Sequence, residues 1–435
     1  MIRFVRSSKR RGQFWVEGET RFDANYDRNL GVVAVDSTRT YQTHIGFGGA
    51  FTEAAAHTVA EANLVRQAAE AYYSPKGLNY NLGRMSMHSC DFALGNYTYD
   101  TDKGFDISHE DKWVIPFVKE AQRQRGKDPI MMYMTAWSPP ARMKTTNEMN
   151  HGGKLRPECR QDYAEYFVKT IVELGKRGVK IDVVNMQNEP EATQTWESCQ
   201  VTAEEEADFL ANYLIPALDK AKLSNVKVII WDHNRDRMVK RAHISLASKA
   251  LRDRVWGVGY HWYVSDQHKN LRTLHALYPE KKLILTECCV EYSVYDGGVG
   301  DYKNGEKYGR EIINDFNNFG NGWIDWNLVL DDKGGPNHAN NFCEAPIMVM
   351  GGKLIFNPSY YYIGHFSKYI MPGAVRIECG HDYDDEVYTT AYKNPDGKIV
   401  VVIQNEGWVK EIALVIDGKG LNISLPDNSI TTLIV

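Results

Sequence analysis

Between residues 40 and 370 the chain repeats one pattern: a short apolar run, a polar or aromatic stop, and a longer stretch with helical spacing. Eight of the apolar runs read as strands, ending near Gly46, Ser86, Thr135, Gln187, Trp231, His261, Thr286 and Asn327. Among the intervening stretches, Tyr163, Tyr166, Phe167, Ile171 and Leu174 share one helical face, and Gly178 follows as a stop signal. Thr202-Ala203-Glu204-Glu205 reads as a capping box ahead of Phe209, Leu210, Tyr213, Leu214 and Leu218. Buried strands that alternate with helices pair in parallel through right-handed crossovers. Eight such units predict an α/β fold of the closed (β/α)8 TIM-barrel type.

After residue 370 the rhythm changes. Residues 386–392, 398–404, 411–416 and 429–435 alternate like strands, with Asn394-Pro395-Asp396-Gly397 and Asp417-Gly418-Lys419-Gly420 as turns. Phe14-Trp15-Val16 and Gly31-Val32-Val33-Ala34-Val35 are also strand-like. The expected organisation is therefore an N-terminal segment, 1–38, joining an antiparallel β-sandwich completed by 369–435, with the barrel at 39–368.

Composition narrows the partners. The chain has 435 residues, 43% hydrophobic and 25% charged, with a formal net charge of −5, which disfavours a polyanion. The basic cluster Lys9-Arg10-Arg11 is short and reads as a solvated turn, so neither nucleic acid nor a membrane is an expected partner. No stretch has the ~20 apolar residues of a membrane span, and the charged start lacks an apolar signal core. The seven cysteines are an odd number without paired C-x-x-C spacing, as in a reduced, cytoplasmic protein. Oligomeric state is not legible.

Chemistry concentrates where barrel enzymes place it, at the carboxyl ends of strands. The fourth strand ends in Asn188-Glu189-Pro190 and the seventh in Thr286-Glu287-Cys288-Cys289. Two carboxylates facing each other across a barrel mouth are what glycoside hydrolysis requires. One protonates the leaving oxygen, and the other attacks the anomeric carbon or activates water. Spacing along the chain does not give their separation. His44, His57 and His88 lack H-x-H or H-E-x-x-H spacing, and Asp331-Asp332-Lys333-Gly334 lacks the other ligands of a calcium loop, so no metal is expected. Cys288 and Cys289 read as small packing residues.

Seven motifs then occur in a fixed order: Gly46-Phe47-Gly48-Gly49-Ala50-Phe51-Thr52-Glu53, Arg84-Met85-Ser86-Met87-His88-Ser89-Cys90-Asp91-Phe92, Trp137-Ser138-Pro139-Pro140, Asn188-Glu189-Pro190, His261-Trp262-Tyr263, Thr286-Glu287-Cys288 and Trp326-Asn327-Leu328. In this order the chain resembles glycoside hydrolase family 30, the glucosylceramidase-like branch. The resemblance implies a retaining double displacement without metal or organic cofactor, Glu287 being the nucleophile and Glu189 the acid/base. A general acid needs a raised pKa, and loss of the negative charge on Glu287 after attack would lower that of Glu189 again. The resemblance also implies that Asn188 holds the sugar 2-hydroxyl, that Asp91 binds distal hydroxyls, and that Trp137 and Trp326 wall the subsite. Tyr263 and His261 would lie near the nucleophile, and Asn341 would supply a polar contact after the eighth strand. Each aromatic also suits plain barrel packing. The loop Gly334-Gly335-Pro336-Asn337-His338-Ala339-Asn340-Asn341 departs from the glucosylceramidase pattern at His338, where an indole is expected.

The expected function is thus exo-hydrolysis of β-D-glucosides or related short β-oligosaccharides. β-Fucosidase, β-xylosidase and β-1,6-glucanase activity are alternatives, because one hydroxyl contact can reset sugar choice. An inactive carbohydrate-binding barrel and a metal-dependent barrel hydrolase are the readings from other classes.

Overall fold

The computed structural model describes every residue except 10–11, 293–298 and 384–385. Arg10 and Arg11 of the basic cluster lie outside the described residues. The chain forms two compact units, Met1–Gly46 with Tyr295–Gly322 and Phe356–Val435, and Phe47–Val294 with Trp323–Ile355.

The first unit holds β1 (Ile2–Ser8), β2 (Gln13–Thr20) and β3 (Val32–Thr43). The second is built on eight strands: β4 (Gly46–Ala50), β5 (Leu82–Ser86), β6 (Met131–Thr135), β7 (Ile181–Asn185), β8 (Lys227–Asn234), β9 (Val255–His261), β10 (Lys282–Glu287) and β11 (Gly322–Asn327). The chain returns to the first unit with β12 (Val375–His381), β13 (Val387–Lys393), β14 (Ile399–Asn405), β15 (Lys410–Ile416), β16 (Lys419–Leu425) and β17 (Ser429–Ile434).

In the first unit these nine strands form one sheet in the order β2-β1-β17-β14-β13-β12-β3-β15-β16. The two chain ends meet directly, for Arg3 pairs with Ile434 and Ser8 with Ser429. Residues from distant strands share one core, among them Ile2, Val33, Ile377, Ile403, Leu414, Leu421 and Leu433. The sheet therefore closes on itself as a β-sandwich. Three of its strands, β1, β12 and β16, fall outside the segments read as strands above. β1 carries Arg3 and Arg6 on opposite faces, which breaks the apolar alternation of a half-buried strand. β16 lies where Gly420 and Asn422 mask the inward alternation of Leu421, Ile423 and Leu425. Residues 299–322, assigned from sequence to the barrel, cluster with the first unit.

In the second unit, β4 to β11 close in chain order into a parallel barrel. The helix Arg160–Lys176 buries Tyr163, Tyr166, Phe167, Ile171 and Leu174, and Gly178 behind it has φ 84°. The capping box forms with both bonds, Thr202 N–H to Glu205 Oε2 at 2.8 Å and Glu205 N–H to Thr202 Oγ1 at 3.2 Å. The helix it starts is not uniform. Ala203–Phe209 and Ile215–Lys220 are α-helical, and Leu210–Leu214 widens into a π turn between them. Among the described residues, no helix is long and apolar enough to cross a membrane.

Candidate active site

The site is built on the carboxyl ends of β5 to β11. Glu287 is the last residue of β10, and Glu189 stands just beyond β7. Glu189 has φ 46°, a left-handed conformation that costs a non-glycine residue roughly 1 kcal/mol or more. Its N–H donates to the Asp232 carbonyl at 3.0 Å, and Pro190 bars the right-handed helix, so the strained turn is held from both sides. One oxygen of Glu189, one of Glu287 and one ring nitrogen of His261 all lie within 4.8 Å of one another.

A buried ionic lattice fixes this geometry. Arg84 of β5 is fully buried and donates through Nη1 to Glu287 Oε2 at 2.6 Å, and through Nη2 to Asn188 Oδ1 at 2.8 Å and Asp232 Oδ2 at 2.9 Å. Its guanidinium lies 4.7 Å from the centre of the Trp137 ring. Burial opposes that charge, and the carboxylates of Asp232 and Glu287 outweigh burial, so the Arg84 pKa rises. Asp232 is likewise buried, and its pKa falls well below the usual carboxylate range: burial pushes it up, but Arg84, His261 and Thr286 pull harder. Its Oδ2 also accepts from Asn185 Nδ2 at 2.9 Å, and its Oδ1 accepts from the Thr286 hydroxyl.

His261, at the end of β9, joins Asp232 to Glu189. Nε2 lies 3.2 Å from Asp232 Oδ1 and Nδ1 lies 3.1 Å from Glu189 Oε1. Asp232 is an acceptor, so Nε2 carries a hydrogen. The contact at Nδ1 then needs one further proton, placed either on the imidazole or on the Glu189 carboxyl. Burial opposes the imidazolium, but Glu287, Asp232 and Glu189 overcome it and raise the His261 pKa to about 9. The raised imidazole and the lowered Glu189 carboxyl together favour placing the shared proton on His261. Burial pushes Glu189 up, and the adjacent His261 and His233 bring it below its ordinary value. Burial leaves Glu287 raised against the opposing pull of His261 and Arg84. This reverses the simple expectation that the acid/base carboxyl is the raised one, because the imidazole sits nearer Glu189.

Eight of the nine residues singled out from sequence line one cavity of about 310 Å³: Asp91, Trp137, Asn188, Glu189, Tyr263, Glu287, Trp326 and Asn341. Tyr263 donates to Glu287 Oε1 at 3.1 Å. Asn341 Nδ2 donates to Asp91 Oδ2 at 3.1 Å, and Asp91 Oδ1 is buried without a hydrogen-bond partner among the described residues. Burial, with Glu287 nearby, raises the Asp91 pKa well above the carboxylate range. Trp137 and Trp326 stack on each other, 5.3 Å apart and 17° from parallel. The ninth residue, His261, was expected among the sugar contacts. It is fully buried, with one nitrogen on Asp232 and the other on Glu189.

Sequence reasoning missed Arg84, Asp232, His233 and Asn234. The signal for Arg84 was present, a lone cation inside the apolar run Leu82–Ser86. Asp232 depends on a bulge: Trp231 and Asp232 have φ 75° and 61°, and the pairing of β8 with β9 shifts register there. His338, the residue standing for an expected indole, donates from Nε2 to the Cys90 carbonyl at 3.0 Å and lies 3.2 Å from Glu197 Oε2. Its imidazole thus holds a buried carboxylate at the rim. A larger open groove of about 870 Å³ begins beside Pro190 and Glu191, away from the carboxylate pair. The triad Glu189, His261 and Glu287 has the donors of a metal site, but a cation there would meet the Arg84 guanidinium already on Glu287.

Comparison with known proteins agrees with the motif reading. Residues 45–370 match the glycosyl hydrolase family 30 TIM-barrel domain, and residues 373–433 match the family's β-sandwich domain. The chain is 31% identical to lysosomal acid glucosylceramidase of Mus musculus over 92% of this chain and 82% of that protein. Among solved structures it is similar to SrfJ from Salmonella typhimurium, at 34% identity and TM-score 0.94, covering 100% of this chain and 99% of that one. It is also similar to the endo-β1,6-glucanase BT3312, at 26% identity and TM-score 0.88, covering 100% and 98%. With its barrel, its sandwich and the carboxylates gathered at the barrel mouth, the chain belongs to glycosyl hydrolase family 30 and is a glycosyl hydrolase.

Proposed function

We propose that the protein is a retaining exo-β-glycosidase acting on β-D-glucosides or related short β-oligosaccharides, with Glu287 as nucleophile and Glu189 as acid/base. The observation that carries this reading is the approach of the two carboxylates to within 4.8 Å. Retaining enzymes hold their pair ~5–5.5 Å apart, whereas inverting enzymes need ~6.5–9.5 Å to seat a water. Arg84 and Tyr263 occupy both oxygens of Glu287 and orient it for attack. The cavity, about 310 Å³, stands at the small end of ligand pockets (~300–1,000 Å³), which favours one sugar ring with a short leaving group.

In the proposed reaction, sugar binding displaces water from around the directly bonded Glu189–His261 pair. A drier site favours the neutral pair, carboxylic acid and imidazole, over the ion pair. The shared proton moves onto Glu189 and then to the leaving oxygen as Glu287 attacks the anomeric carbon. Water next attacks the glycosyl-enzyme, giving its proton back to the Glu189–His261 pair. Asn188, Asp91 and Asn341 bind hydroxyls, and the Trp137 and Trp326 rings flank the apolar face of the pyranose. No cofactor takes part, and the β-sandwich from 1–38 and 369–435 acts as an accessory module.

A second reading, endo-cleavage of a β-1,6-glucan, draws on the full-length likeness to BT3312. A panel of aryl β-glucoside, xyloside, fucoside and galactoside, with β-1,6-glucan and glucosylceramide, separates these readings. NMR of the first anomer released should show retention. A 2-deoxy-2-fluoro aryl β-glucoside should add one sugar mass to the peptide containing Glu287, and labelling elsewhere would overturn the assignment of roles.

A further inference from the structure

Cys289 lies two residues past Glu287 and lines the sugar cavity, where its Sγ is 3.5 Å from the Tyr263 hydroxyl that donates to Glu287. On its other side it meets Cys343. Both thiols belong to one buried cluster with Ala345 and Met348, and each perturbs the titration of the other. The short antiparallel ladder in which Val290 pairs with Glu344 and Glu291 with Cys343 keeps their backbones adjacent. Cys343 is 1% exposed and Cys289 7%, and the cavity gives Cys289 an opening to solvent. A line of contacts therefore runs from Cys343 through Cys289 and Tyr263 to the proposed nucleophile.

We propose that Cys289 and Cys343 form a peroxide-responsive dithiol that closes to a disulfide and reversibly turns the glycosidase down. The inference of lowered turnover rests on the proposed role of Glu287; the disulfide itself does not. Hydrogen peroxide of small size enters the cavity and reaches Cys289. The thiolate sulfur attacks the peroxide O–O bond, one oxygen leaves as water, and Cys289 becomes a sulfenic acid. Cys343 then attacks the Cys289 sulfur and expels a second water, forming the S–S bond. The dithiol supplies two electrons and two protons, and the peroxide is reduced to two waters.

Cys289 stands diagonal to Cys343 across the ladder, so closure draws the two short strands together toward the ~4.4–6.8 Å Cα spacing of a disulfide. Drawing Cys289 onto Cys343 takes its sulfur off the Tyr263 hydroxyl and removes both thiol protons from the line that ends at Glu287. Burial pushes both thiols up, so the thiolate is scarce at neutral pH. Closure is therefore slow and accelerates up to ~10-fold per pH unit. Cys288 plays no part in this arrangement: its thiol donates to Asp325 Oδ1 at 3.3 Å.

The test treats the whole protein with hydrogen peroxide, stops the reaction with catalase, and reads intact mass, linked peptides and turnover of an aryl β-glucoside. Expected are the loss of two hydrogens, a peptide linking Cys289 to Cys343, and a fall of about tenfold in kcat/KM, all reversed by dithiothreitol. Cys343→Ser should keep basal turnover, and after peroxide its Cys289 should take up a dimedone adduct in place of the disulfide. A wild-type protein that forms no such link, or that links Cys289 to Cys90 or Cys288, overturns the proposal. So does a Cys343→Ser variant whose turnover falls and recovers as in the wild type. If no glycoside were turned over at all, the reading of function would fail while the linked peptide still reported on the dithiol.

Discussion

Replacing Asp232 by Asn changes one atom and tests the proton arrangement beneath Glu189. The Asp232 carboxylate accepts from Arg84, Asn185, Thr286 and His261. An amide accepts at one end only, and its NH2 cannot face Arg84 and Asn185, since both are donors. It must face Thr286, whose hydroxyl can turn to accept, and His261, whose Nε2 must then become an acceptor. That forces the hydrogen of neutral His261 onto Nδ1, pointing at Glu189, and leaves Glu189 ionised with no proton to give. General acid catalysis contributes ~10²–10⁴-fold, so kcat/KM for a phenyl β-glucoside should fall by that order. A 2,4-dinitrophenyl glycoside leaves without protonation and should lose roughly tenfold or less in its first step. The variant should still fold, because losing one charge from a buried lattice costs ~3–5 kcal/mol against a typical stability of ~5–15 kcal/mol. Circular dichroism would verify this. Equal losses on the two substrates would refute the reasoning, since the defect would then be in orientation or in the nucleophile rather than in the proton.

Other outcomes follow from the same geometry. Glu189→Ala should turn over activated glycosides slowly and be rescued by azide with a β-glycosyl azide as product; a folded variant without rescue would count against the acid/base role. His261 has a folded pKa of about 9 against 6.5 for the free group, so its contribution is fully present below pH 6.5 and is lost as pH rises toward 9. That corresponds to a few kcal/mol, on the order of 3, and Tm measured from pH 6 to 9 should fall more steeply in wild type than in Asp232→Asn. His338→Ala strips an imidazole partner from the buried Glu197 carboxylate, leaving the Asn96 amide at 2.8 Å, and should cost about 1–3 kcal/mol in urea unfolding. Thr202→Ala should cost about 1 kcal/mol by removing the cap, with kcat/KM unchanged.

The architecture was legible because it is written locally. Each barrel strand is a run of apolar side chains closed by a polar residue, and each helix carries its own stripe and cap. The residues that act in this fold sit at strand ends, so Glu189 and Glu287 could be picked out by position, whereas Asn188 and Trp326 came from the family resemblance. Strands such as Ile2–Ser8 and Lys419–Leu425 escaped because a half-exposed strand with charged or glycine positions looks like a turn until its partners are known.

The sequence by itself determined which elements form, their order around the barrel, and the two carboxylates between them. Only the tertiary structure decided their separation, since their approach to within 4.8 Å depends on barrel closure between distant strands. It also decided protonation. Arg84, Asp232 and His261 come from three strands, and their charges act on Glu189 and Glu287 only once burial has removed water from between them. Coulomb energy in a low dielectric depends on distance through space, a quantity that spacing along the chain does not contain.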